Sequence, residues 1–134
     1  MVISAPLTAL IDLVQYASNM PRELLGEVEH LILLALLRLG DRQYGVPILD
    51  EIEARTGRKP SRAAVYIALQ RLETKGLVTS TLGEPTAERG GRARRYFTLQ
   101  PAGLSALRDS RRALVRMWAS FEHRLEPNRP GRSR

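Results

Sequence analysis

Residues 61–78 read SRAAVYIALQRLETKGLV. Val65, Ala68, Leu69 and Leu72 recur three and four apart, the spacing of one helix face turned toward a core. Ser61 is placed to cap that helix and Gly76 to close it. The opposite face then carries Arg62, Ala63, Tyr66 and Gln70, again three or four apart. The helix start directs free amides and a positive dipole outward, a setting for phosphate, and Lys59 just ahead adds a cation. Gln70 can donate and accept at an adenine edge, and Arg62 can fork onto a guanine. The plainer reading is a solvated surface, since Arg and Gln are common there.

Downstream, Leu77–Thr81 and Arg94–Leu99 are β-branched or aromatic enough to predict two short strands. Between them lies an arginine-rich turn, within EPTAERGGRARRYF at 84–97. Gly90 and Gly91 let the backbone turn with positive φ and lie close to a sugar-phosphate chain. Arg89, Arg92 and Arg94 can then neutralise phosphates or probe a narrow minor groove. A flexible, solvated loop is the bland alternative.

Upstream, the spacing predicts helices over about residues 6–19, 23–40 and 44–57. The second, ELLGEVEHLILLALLRLG, is apolar around most of its girth, which predicts burial on several sides. In the third, Pro47 must sit in the first turn, where its missing amide costs nothing. After the first of these, the order is helix, helix, helix, strand, basic turn, strand, helix. It predicts a mainly α fold with a small β-hairpin wing: a winged helix-turn-helix, whose second helix of the pair enters the DNA major groove.

Charge agrees. The chain of 134 residues carries a net charge of +7. Residues 1–56 hold four basic and eight acidic side chains, and residues 57–134 seventeen and six. A basic half suggests a polyanionic partner. With no cysteine there is no disulfide or thiolate metal site, which fits a cytosolic protein. No apolar run reaches the roughly 18 residues of a membrane span.

Residues 101–125 predict one last helix, with Leu104, Leu107, Leu114, Trp118, Phe121 and Leu125 in heptad rhythm and Arg111 in one slot of the seam. A seam of Leu107, Leu114, Trp118 and Phe121 is too wide for a small core, so it is expected to pair with a second copy. Domain limits follow: an amphipathic extension at 1–22, the winged domain at 23–100, the dimerisation helix at 101–125, and a disordered basic tail at 126–134.

Three segments, LLGEVEHLILLALL, QYGVPILDEIEARTGRKPSRAAVYIALQRLETKGLV and GGRARRYFTLQPAG, resemble the PadR family of bacterial transcription regulators. They cover about residues 24–105 in the family's order, and the single last helix is similar to its compact subgroup. The resemblance implies a homodimeric repressor that releases DNA when an effector binds. It places Tyr44, Ser61, Arg62, Ala63 and Tyr66 at the DNA surface and Arg89 to Arg94 on the wing. The family often has glycine where Ala63 stands and usually threonine at Gln100. Its relatives also suggest a small aromatic effector stacked on Trp118, flanked by Met117 and Phe121; a simple interface anchor is the plainer role.

An enzyme finds little support. Glu27 and His30 form one E-x-x-H, but a di-metal bundle needs two, and no cofactor or metal is called for. The stronger competitor is a winged helix that binds protein rather than DNA.

Overall fold

The computed structural model describes residues 7–11, 24–84 and 93–125 of the chain. Residues 7–11 are helical, within the helix expected over 6–19; the rest of that expectation lies outside the described residues, as does the expected disordered tail. Three helices follow: α1 (Glu27–Leu39), α2 (Gly45–Thr56) and α3 (Arg62–Thr74). Then come β1 (Val78–Leu82), β2 (Arg95–Leu99), α4 (Pro101–Trp118) and a 3₁₀ turn at Glu122–Leu125. The fold is mainly helical with one antiparallel hairpin, as expected.

Helix α1 is the central element, in contact with α2, α3, α4 and β2. Ile32, Leu33 and Leu36 are buried among Ile48 and Ile52 of α2, Leu69 and Leu72 of α3, and Val78 and Phe97 of the hairpin. Its girth is not wholly covered: Leu34 and Leu37 remain exposed. Pro47 occupies the first turn of α2, and Gly57 ends that helix with φ 73°, a left-handed conformation in which a Cβ is strained.

A buried ion pair fixes α3 against α1. Glu29 is 7% exposed. Its Oε2 accepts from Lys75 Nζ at 2.9 Å and its Oε1 from the Gly26 amide at 2.9 Å. Burial alone would raise the Glu29 pKa; the bonds from Lys75 and Gly26, with the charges of Lys75 and Arg71, outweigh it and hold the carboxyl below its ordinary value.

The hairpin pairs Val78 with Leu99 and Leu82 with Arg95, each strand beginning and ending one residue later or level with the expectation. A third strand is reduced to one bridge. Gln43 exchanges two backbone hydrogen bonds with Phe97, at 2.9 and 2.7 Å. The segment between α1 and α2 is thereby tied to the outer edge of the wing.

Helix α4 departs from the expected heptad. Its buried residues are Gly103, Ala106, Leu107 and Ser110. Leu107 is thus part of this chain's own core, not a seam for a partner. The slot opposite α1 falls to Ser110, whose Oγ lies 2.8 Å from His30 Nδ1. Arg111 lies instead in a surface cleft with Arg108, Arg112 and Arg116. The reason is close approach: a Cβ on Gly103 would strike the Leu77 carbonyl oxygen. The packed face is made of small side chains, which a search for large apolar residues does not detect. The helix also stops at Trp118 rather than at 125, and Ser120 takes φ 73°. Every residue from Leu114 to Leu125 is exposed, so only intrinsic propensity supports those turns, and Trp, Ser and Phe contribute little of it. Phe121 therefore does not continue the helical stripe of Leu114 and Trp118.

Candidate nucleic-acid interface

Helix α3 begins as the sequence requires. Ser61 is its N-cap, and its Oγ accepts from the Ala64 amide at 3.1 Å. Ser61, Arg62, Ala63, Tyr66 and Gln70 are all exposed, and the inward residues Val65, Ala68, Leu69 and Leu72 are all buried.

Helix α2 sets its own N-terminus beside this surface. Gly45, its first residue, is so close to Tyr66 that a Cβ there would lie 2.6 Å from the phenol oxygen. Arg62 and Tyr66 together line a small niche with Gly45, Val46 and Leu49. The free amides at the start of α2 and of α3 thus border one surface, and both dipoles favour an anion there.

The bridge between Gln43 and Phe97 carries the wing to the same place. Antiparallel register places Tyr44, the N-cap of α2, opposite Tyr96. Their rings meet edge to face, with centroids 5.8 Å apart. The Arg94 guanidinium lies 4.1 Å from the Tyr44 centroid, and that of Arg42 lies 4.3 Å from the Tyr96 centroid. The two aromatic rings, one from each strand, are thus flanked by two cations. A guanidinium stacked on a ring keeps edge donors for phosphate oxygens while its orientational freedom falls. Arg94 Nε is buried, and its stacking on Tyr44 holds this arginine at the wing root, just ahead of β2. Arg42 and Tyr96 were missed by the sequence reading. The signal was present: Arg42-x-Tyr44 and Arg94-x-Tyr96 share one spacing, which places each pair on one face of an extended strand.

The structure therefore brings Tyr44, Arg62, Tyr66 and Arg94 together. Lys59 is engaged differently, its ammonium 3.5 Å from Glu53 of α2. Gln70 lies farther along α3, on an open groove with Ile67 and Thr74. Arg89, Gly90, Gly91 and Arg92 lie outside the described residues. Among the described residues no cluster of His, Cys, Asp or Glu could hold a metal, and no helix is long and apolar enough to cross a membrane.

Comparison with known proteins agrees with this architecture. The chain is similar to a transcriptional regulator from Clostridium thermocellum, at 23% identity over 74% of this chain and 93% of that one, with a TM-score of 0.62. It is similar to a PadR family transcriptional regulator from Eggerthella lenta, at 23% identity over 90% and 99%, TM-score 0.58. A winged-helix DNA-binding protein from STIV matches at 15% identity over 68% and 90%, TM-score 0.53. No curated protein sequence matches. The family model of the transcriptional regulator PadR-like family matches residues 33–109, which run from the middle of α1 into α4 and include the whole surface just described. On that match over more than half its length, the chain belongs to the PadR-like family of transcriptional regulators, which are not enzymes.

Proposed function

We propose that the protein is a cytoplasmic, homodimeric, sequence-specific DNA-binding repressor that lays α3 in the major groove and sets its wing on the phosphates beside it. The observation that carries this reading is the convergence of the α3 start, the α2 start and the wing root on one surface through Tyr66, Gly45, Tyr44 and Arg94. Groove-reading residues, helix-terminal amides and stacked arginines then act on the same stretch of duplex.

Dimerisation is supported by an apolar cleft of about 530 Å³ between α1 and α4, lined in part by Leu25, Leu31, Leu34, Leu114 and Met117. Leu114 and Met117 are 52% and 77% exposed in the single chain, as an interface awaiting a partner would be. A two-fold axis would set the two reading helices about 34 Å apart and select a palindromic operator. Trp118 is not part of that cleft but is exposed along with Met117 and Phe121, open to stacking by a planar aromatic effector that releases the DNA. Quenching of its fluorescence by such compounds is the expected sign.

Gel-shift titration on the DNA upstream of the protein's own gene, at several salt concentrations, tests the function. Log affinity should fall with log salt by about 0.9 for each phosphate neutralised. Arg92→Ala should lower that slope by about one such step. Arg62→Ala should cost about 1–3 kcal/mol on the operator and relax base preference; equal loss on all sequences reassigns Arg62 to a phosphate. Weak, salt-insensitive binding would instead mark a protein-binding winged helix.

A further inference from the structure

We infer that Ile67 reads the methyl group of a thymine in the operator. The inference rests on α3 being the helix that enters the major groove. Successive residues of a helix are turned by about 100°. Measured from the buried stripe of Val65, Ala68, Leu69 and Leu72, the outermost ridge of α3 consists of Ala63, Ile67, Gln70 and Thr74, with Tyr66 and Arg71 on its two flanks. All six are exposed, and Ile67 is 50% exposed.

The ridge carries no charge. In a major groove this outermost ridge faces the base edges. The core of α3 is complete without Ile67, so the isoleucine is not there to fill it. A lone exposed apolar residue needs no special role in general; this one stands at the middle of the reading ridge. The base edges of the major groove offer donors, acceptors and one apolar group, the thymine C5 methyl. Only that group matches a branched aliphatic side chain. Gln70, less than one turn further along, suits an adjacent adenine. The ridge thus predicts a thymine read by shape beside an adenine read by hydrogen bonds.

Replacing thymine by uracil removes the methyl and nothing else. An operator is first selected from random duplex DNA with the wild-type protein, and each thymine is then exchanged singly for uracil. At one position in each half-site, binding should weaken about fourfold, the ~0.8 kcal/mol of one buried carbon converted at 1.4 kcal/mol per factor of ten. Ile67→Ala should bind the thymine operator more weakly and show no difference between thymine and uracil there; Ile67→Val should keep part of the difference. Uracil tolerated within about 1.5-fold everywhere overturns the inference, as does Ile67→Ala retaining the wild-type penalty. A fall in melting temperature of Ile67→Ala with the penalty unchanged also overturns it, and assigns Ile67 to packing across the groove that it shares with Leu24. Failure to enrich any sequence, with no duplex shifted by the wild type, rejects the DNA-binding reading itself and is distinct from the other results.

Discussion

Gly103→Ala sets helix propensity against packing, and the two give opposite signs. Alanine in place of glycine favours a helix by up to about 1 kcal/mol. At position 103, however, the new methyl would be driven into the Leu77 carbonyl oxygen and come within 2.7 Å of Leu99 Cδ1. The leucine can change rotamer. The carbonyl cannot, because it accepts the Gln100 amide at 3.0 Å and lies at the start of β1. Overpacking against fixed backbone lies toward the upper end of about 1–3 kcal/mol. The net expectation is a loss of about 2 kcal/mol. For a chain of this size each kcal/mol is worth about 3–5 °C, so the thermal midpoint should fall by about 6–10 °C. Melting followed by circular dichroism, with exposed Arg112→Ala as a control, measures it. A midpoint equal to or above wild type would refute the seating of α4 on the hairpin, and with it the assignment of Leu107 to the internal core.

Lys75→Met should leave the Glu29 carboxylate buried with only the Gly26 amide, at a cost of about 2–3 kcal/mol. Adding Glu29→Gln should recover part of that loss; a single-mutant cost under about 0.5 kcal/mol in urea unfolding would show the pair to be no stronger than a surface one. Acid should weaken the fold in two steps. Burial lowers the His30 pKa, and the bonds from Lys75 and Gly26 bring that of Glu29 below its ordinary value despite burial. Each group has a folded pKa below its unfolded one. Its stabilisation is therefore complete above the unfolded value and is lost as pH falls toward the folded value. The first decline should begin near pH 6.5 and the second near pH 4.5, the ordinary values of the two groups. His30→Gln should flatten the first and leave the second; an unchanged profile would count against the His30 assignment.

The three helices, the hairpin and the start of the reading helix at Ser61 were legible in the sequence because each has a local cause. Apolar periodicity, a capping hydroxyl, a stopping glycine and β-branched runs all act within a few residues. The outward placement of Arg62, Tyr66 and Gln70 followed from the same periodicity, and Ile67 could have been found by asking what the inward stripe leaves out. Tertiary structure alone decided the rest, since the causes there are separated along the chain. The stack of Arg42, Tyr44, Arg94 and Tyr96 exists because a single backbone bridge aligns residues more than fifty positions apart. The packed face of α4 includes a position, 103, where the oxygen of Leu77 leaves room only for glycine, while Arg111 lies on the surface. Short-range pattern chose the elements; steric fit between distant backbones chose which faces meet.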